Sequence, residues 1–316
     1  MKRLPDITPF KRRQRGSALI AILWIIAILT IAVFSATQFL FIELESDSNA
    51  SSLFRAEQLA DRGIALGSHP DIQRGDPLLI EQVSDNESYS ARISSEGDRL
   101  NLNRLLEHPE TDRLVLEELF TTWGLRRDHA VDVVDNLIDW VDIDEDQTNQ
   151  GAERAFYFEQ GRSNHPFNRQ FDALEEVEMV NLFDQVMAAN PLWKESFTLL
   201  SAGPLDVNEA PADLIAAACE CGTVAAEGFV GVRNGFDGIP GTQDDLRFET
   251  MEMAVDQLGI PEAFEERVLP RIAIEDPARR IISVGRLGRI AVERSVTIQY
   301  SADQGEILKW STRRIE

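Results

Sequence analysis

The sequence predicts an α+β protein tied to a membrane by one N-terminal helix. Three observations carry that expectation: a run of 26 residues without a charge near the N-terminus, helical periodicity through the middle of the chain, and Ile- and Val-rich segments around a turn signal at the C-terminal end. The chain has 316 residues, 43% hydrophobic and 27% charged, a length that suits roughly two globular domains. With 31 Lys plus Arg against 54 Asp plus Glu the formal net charge is -23. Such a balance argues against nucleic acid as the main partner, because phosphate binding needs clustered cations. Two cysteines, Cys219 and Cys221, are too few for a disulfide framework. A bond between them would close only a small strained ring, and their role is left open.

The elements follow in chain order. Residues 1–16 hold six basic side chains (Lys2, Arg3, Lys11, Arg12, Arg13, Arg15) and one acid, Asp6. The uncharged run from Ser17 to Ile42 would be ~39 Å long as a helix, enough to cross a hydrocarbon core of about 30 Å. The basic head then stays cytoplasmic and the acidic remainder crosses the membrane. A secretory signal peptide is the competing reading, but its apolar region is about 7 to 15 residues and ends in a small-x-small site. Beyond the run, Leu53, Ala56, Ala60 and Ile64 recur at helical spacing, and Gly63 and Gly67 precede Pro70, so the helix is expected to continue to about Gly67. Ser88 to Ser95 alternates like a strand, whereas Leu114 to Val141 and Asp172 to Ala189 have helical periodicity. Arg280 to Tyr300 and Ile307 to Thr312 read as strands joined by a turn at Ser301 to Gly305.

Arg15, Gly16 and Ser17 form a junction of basic leader, glycine and uncharged helix. It resembles the class III signal of type IV pilins and type II secretion pseudopilins. The resemblance implies cleavage by a prepilin peptidase between Gly16 and Ser17 and methylation of the new N-terminus. Two positions depart from the usual pattern: Ser17 stands where Phe or Met is common, and Ala21 where most have Glu. A missing Glu is the habit of K-type subunits. Further segments carry a resemblance to the general secretion pathway protein K family: RLNLN (Arg99 to Asn103), NLIDWVDIDED (Asn136 to Asp146), GAERAFY (Gly151 to Tyr157), PFNRQFDALEEV (Pro166 to Val177) and LDVNEAPADLIAA (Leu205 to Ala217).

That resemblance implies a pseudopilin fold, in which a long N-terminal transmembrane helix packs on a small antiparallel sheet and a large, mainly α-helical domain is inserted between strands. The implied organisation is a leader over 1–16, the extended helix over 17–67, the first part of the sheet over 68–98, the insert over 99–275, and C-terminal strands over 276–316. The insert would divide into two helix-hairpin-helix-like subdomains near 205. It also implies a minor pseudopilin of the type II secretion system, a tip subunit that helps to initiate and cap the pseudopilus. Its partners would be I-type and J-type minor pseudopilins, the prepilin peptidase and the inner membrane. The rival reading is a signal-anchored, periplasmic, calcium-dependent binding module.

Asp142, Asp144, Asp146 and Glu153 copy positions 1, 3, 5 and 12 of a calcium loop, with Thr148 and Gln150 at 7 and 9. Gln147 replaces the glycine of position 6, so the segment is not an EF-hand. By spacing alone it is either a cation site or a solvated acidic loop. The family resemblance adds calcium as the expected cofactor, and Arg154, standing where an acid is expected, weakens such a site. A second acidic loop (Asn234, Asp237, Gly238, Gly241, Asp244, Asp245) offers carboxylates on a Gly-rich turn, and its simpler reading is an exposed turn.

LDVNEAPADLIAA also looks like half of a helix-hairpin-helix. Its neighbours Asp206, Glu209 and Asp213 are acidic where DNA binding needs bases, so Asn208 is expected to cap a helix started by Pro211. RLNLN reads as a strand-to-helix corner in which Asn101 and Asn103 bond exposed backbone groups. No phosphate loop, HExxH or GxSxG motif occurs, and His69, His108, His129 and His165 are scattered, so no catalytic residues and no enzymatic activity are expected.

Overall fold

The computed structural model describes residues 17–240, 242, 244–301 and 304–315. The leader with Gly16, and Gly241 of the second acidic loop, lie outside the described residues. The chain divides into two units, residues up to Arg55 and residues from Ala56 onward. Helix α1 runs from Ser17 to Gly67 and ends where the Gly-Pro signal places its end. In the first unit it is apolar and exposed from Leu19 to Gln38.

In the second unit a five-stranded antiparallel sheet has the order β1-β2-β7-β8-β9. Its strands are β1 (Ile80–Ser84), β2 (Glu87–Ser95), β7 (Ala278–Leu287), β8 (Ile290–Ser301) and β9 (Gln304–Ile315). The Ile/Val-rich segment from Arg280 to Tyr300, expected as one strand, is two strands folded back at Gly288 and Arg289. The reversal rests on Gly288, whose φ of +56° suits glycine.

That face is covered by the last turns of α1. Ala56, Ala60, Gly63 and Ile64 are buried there with Leu79, Ala91, Ile93, Ile281, Val296 and Ile298. The approach is close because the contact is built from small residues. A Cβ on Gly63 would run into the Ser283 hydroxyl of β7, and one on Gly285 would run into the α1 backbone at Ala56 and Ala60. Charged groups flank the seam: Arg294 on β8 holds Asp61 and, at 3.1 Å, Glu57, while Arg62 pairs with Glu81 at 2.6 Å. The Tyr300 hydroxyl donates to the Ser68 carbonyl at 2.9 Å, just beyond the helix end.

Between the neighbouring strands β2 and β7 the chain leaves the sheet and builds a helical insert. Its helices are α2 (Leu102–Glu107), α3 (Pro109–Thr122), α4 (Arg127–Val141), α5 (Arg154–Glu159), α6 (Leu174–Val177), α7 (Phe183–Ala189), α8 (Ala212–Ala218), α9 (Thr223–Arg233), α10 (Met251–Leu258) and α11 (Glu262–Val268). Two short parallel pairs tie it together: β3 (Leu100–Asn101) with β4 (Phe197–Thr198), and β5 (Leu205–Asp206) with β6 (Ile272–Ala273). One apolar cluster runs from Leu100 to Ile272 across position 205, so segments on both sides share a core.

The periodic stretches are shorter helices than their pattern implies. Leu114–Val141 breaks into α3 and α4 at Gly124, whose φ of +104° is open to glycine, and Asp172–Ala189 breaks at Leu182, with φ +66°. RLNLN is a strand-to-helix corner: Asn101 caps α2 by accepting from the Arg104 amide at 3.1 Å, and Asn103 bonds both backbone groups of Phe171 at 2.9 Å. Asn208 does not cap α8, whose N-terminal cap is Pro211. It is buried and bonds the carbonyls of Phe248 and Ile274 and the amide of Phe248 instead, because the folded core leaves those groups no water.

The insert meets the sheet through a polar seam. Buried Glu96 accepts from Arg99 and the Thr198 hydroxyl, Asp98 pairs with Arg280 at 2.6 Å, and Asp276 accepts from the amides of Ala202 and Ala278 at 2.8 and 2.7 Å.

Replacing Gly285 by Val forces α1 off the sheet and is expected to cost about 1–3 kcal/mol, the usual penalty of overpacking. Gly228→Ala, at an exposed position inside a helix where nothing lies within 4 Å, is the control and should raise stability by about 0.4–1 kcal/mol. Denaturant unfolding of the two variants measures the difference.

Candidate functional site

Two features of the chain are candidates for function: the apolar segment of α1 and a carboxylate cluster at the end of α4. Leu19–Gln38 is 20 residues long and its described side chains are exposed, including Trp24, Ile25, Ile28 and Phe34. Its two threonine hydroxyls bond back to the helix, Thr30 donating to the Ile26 carbonyl and Thr37 to the Phe34 carbonyl, both at 2.8 Å. A helix pairs its backbone groups within itself, which is what a lipid phase demands. Ser17, the predicted first residue after cleavage, is helical.

The cluster is made by a loop that folds back on α4. Asp135 and Asp139 are both fully buried on that helix. Asp135 is paired with Arg113 at 2.8 Å and accepts from the Gln150 amide at 3.2 Å. Asp139 accepts from the Thr148 amide at 3.2 Å. Asn136 donates to the Gln150 carbonyl at 2.8 Å and Gln147 to the Gly151 carbonyl at 2.6 Å, so the loop from Asp142 to Glu153 is pinned along its second half. The result brings carboxylate oxygens of Asp139, Asp142 and Glu153 within 4.8 Å of one another.

Asp142 Oδ1 and both oxygens of Glu153 are buried without a well-formed hydrogen bond. Burial, with the neighbouring acids Asp144, Asp139, Glu145 and Asp146, pushes the Asp142 carboxyl up to about 6. Burial, then Asp139, Asp142 and Glu145, pushes Glu153 up to about 7. Asp139 is also raised, by burial first, against the Thr148 hydrogen bonds that lower it. Three converging carboxylates that repel one another, two of them with buried oxygens that no donor reaches, fit a hard divalent cation, which takes oxygen ligands and cancels the repulsion.

Of the acids expected from spacing, the fold joins Asp142 and Glu153 and adds Asp139, one helical turn before Asp142. Asp144 and Asp146 are exposed, and Asp144 Oδ1 accepts from the Asp146 amide at 2.8 Å. Arg154 turns outward to Glu145 at 2.9 Å. Asp139 was readable in one respect: positions 139 and 142 stand three apart at a helix end, so they share a face. In the second acidic loop Asp244 accepts from the amides of Phe236 (2.7 Å) and Asp237 (3.2 Å) and from the Thr242 hydroxyl (2.7 Å), and Asp237 accepts from the Ile239 amide at 2.7 Å. Those carboxylates serve the turn itself, and Asp245 shares the Thr242 hydroxyl at 3.4 Å. Among the described residues, three such ligands converge only at Asp139, Asp142 and Glu153.

A family model described as type II secretion system (T2SS), protein K matches residues 98–190, the segment that holds the cluster. Type II secretion system protein K of Pseudomonas aeruginosa is 24% identical over 315 aligned residues, which cover 89% of this chain and 92% of that protein. Among solved structures, a chain of the GspK-GspI-GspJ complex from the enterotoxigenic Escherichia coli type 2 secretion system aligns with a TM-score of 0.59. It covers 90% of this chain and 99% of that one at 13% identity, a likeness of fold.

In the absence of cations the cluster should make stability fall with rising pH. Asp142 and Glu153 have folded-state values near 6 and 7 against ordinary values of 3.8 and 4.5, so the folded chain holds protons that the unfolded chain has already lost. The loss therefore develops between roughly pH 4 and 7. Denaturant unfolding in chelator across that range should show a decline that is smaller in the double variant Asp142→Asn, Glu153→Gln.

Proposed function

We propose that this chain is a member of the type II secretion system protein K family, a minor pseudopilin of that system, and the tip subunit that initiates and caps the pseudopilus. The observation that carries the tip position is the helical insert between β2 and β7. A repeating fibre packs its subunits side by side through their N-terminal helices, and so large an insert obstructs that packing. A cap has no subunit above it and tolerates the bulk. Ala21, in place of the carboxylate that docks one subunit on the next, supports the same position.

The role is assembly, without a catalytic step. The basic leader keeps the N-terminus cytoplasmic, the apolar part of α1 spans the inner membrane once, and the acidic bulk lies in the periplasm. Cleavage between Gly16 and Ser17 releases the subunit into the fibre. The solved neighbour, found in a complex with GspI and GspJ, supports I-type and J-type minor pseudopilins as the partners in a tip complex. Calcium is the cation proposed for Asp139, Asp142 and Glu153, where it would hold the loop against α4 by cancelling the charge of three buried acids.

The intact mass of the membrane-extracted protein, from hosts with and without an active prepilin peptidase, tests the pathway. The expected result is loss of residues 1–16 and gain of one methyl group only where the enzyme is active. Retention of the leader in both hosts would leave a signal-anchored calcium-dependent module as the reading.

Calcium is tested separately by melting the detergent-solubilised chain. At 100 times its dissociation constant the ion should add ~2.7 kcal/mol, several degrees in Tm. Asp142→Ala with Glu153→Ala should abolish that increment, and no shift in the parent chain removes the metal without touching the assembly role.

A further inference from the structure

The five-stranded sheet ends on β9, whose outer edge pairs with no strand among the described residues. The opposite edge, β1, is protected in the usual way: it is five residues long, and its pairing with β2 slips between Gln82 and Ser84. Strand β9 is 12 residues long, and past an irregularity between Thr297 and Ile298 it follows β8 without a break from Lys309 to Ile315. Lys309 to Arg314 are all exposed. Every second residue of such an edge turns its N–H and C=O outward, a row that another chain can continue.

The charges along this edge run against those of the chain. The protein carries 54 acids against 31 bases, and Arg294 on the adjacent strand is held by Glu57 and Asp61. Between Lys309 and Ile315 there is no acid, and Lys309, Arg313 and Arg314 have no ion pair among the described residues. Glu293 stands opposite Arg313 across the ladder without pairing with it. Register divides the cations between the two faces. Trp310 lies opposite Val296, which is buried in the cluster beneath α1, and Arg294 sits over its ring at 5.9 Å, so Trp310 and Arg314 share the α1 face. Lys309, Ser311 and Arg313 alternate onto the other face, where the Ser311 and Ser295 hydroxyls meet at 2.7 Å. Two copies of β9 laid edge to edge would put cations beside cations, which disfavours a second copy of this chain, whereas an acidic strand meets the same positions with opposite charge.

We propose that the free edge of β9 receives an extended, acidic segment of a different protein chain as a further strand of the sheet. The backbone of that segment continues the ladder and supplies affinity, while its side chains supply specificity. Lys309 and Arg313 lie on one face and call for two carboxylates at the same spacing on the added strand. On the α1 face the half-exposed Trp310 calls for an apolar residue and Arg314 for a third carboxylate. Run antiparallel, the added segment reads acid, acid, any, any, apolar, acid opposite Arg314, Arg313, Thr312, Ser311, Trp310 and Lys309 in that order. This contact is independent of the tip position and of any cation at the carboxylate cluster.

The probe is a fluorescein-labelled peptide, Thr-Glu-Glu-Thr-Thr-Val-Glu-Thr, titrated with the full chain in non-ionic detergent and followed by anisotropy. It should bind, and the version with Gln in place of each Glu should bind about tenfold more weakly. Arg313→Gln with Arg314→Gln should weaken the Glu peptide by about fivefold and leave the Gln peptide unchanged. Backbone pairing is tested on the peptide itself. Of two versions N-methylated at alternate residues, the one whose methyls replace the N–H groups facing β9 should lose binding and the other should keep it. No binding by the Glu peptide, equal binding by the Gln peptide, a double variant that binds as the parent does, or no difference between the two methylated versions overturns the proposal, the last by reducing the contact to unspecific charge. If the double variant fails to fold, the peptide comparisons decide alone.

Discussion

The close approach of α1 to β7 is the contact on which the rest of the second unit depends. Gly63 and Gly285 remove the side chains that would hold helix and sheet apart, and Ala56 and Ala60 complete a surface of small residues. With that gap closed, Ile64, Ile281, Val296 and Ile298 reach one another and exclude water from one face of the sheet. The same helix is apolar and exposed from Leu19 to Gln38, a stretch long and apolar enough to cross a membrane.

A sheet held this firmly can carry a long insertion. Strands β2 and β7 pair without interruption from Glu87↔Leu287 to Ser95↔Arg279, which fixes the two ends of the insert side by side. Loop-closure entropy grows only slowly with length, and the insert offsets it with a core of its own from Leu100 to Ile272. Glu96, Asp98 and Asp276 join the two through charged hydrogen bonds, so the junction is polar where each neighbouring core is apolar.

The carboxylate cluster follows from the same economy of placement. Asp135 is neutralised by Arg113, while Asp139 has only hydrogen bonds from Thr148, and Asp142 and Glu153 have less than that. Pinning the loop to α4 therefore concentrates negative charge away from water. That is unfavourable for the chain alone and favourable for a chain with a bound cation.

The sequence by itself determined what depends on composition and local period. The 26-residue uncharged run, the end of α1 at Gly67, the strand nature of 88–95 and of the C-terminal segment, the asparagine corner at 101–103 and the acidic loop were all legible, because each is set by residues within a few positions of one another. Tertiary structure decided what depends on distant groups. Gly124 and Leu182 break helices whose apolar period runs on unbroken, since both halves face the same core. Asn208 leaves the helix end to bond Phe248 and Ile274, some 40 and 66 positions away. Spacing ranked Asp144 and Asp146 with Asp142, but the folded loop turns them to solvent and puts Asp139 in their place, because the distance between carboxylates is set by how the loop is pinned to α4 and not by their separation along the chain.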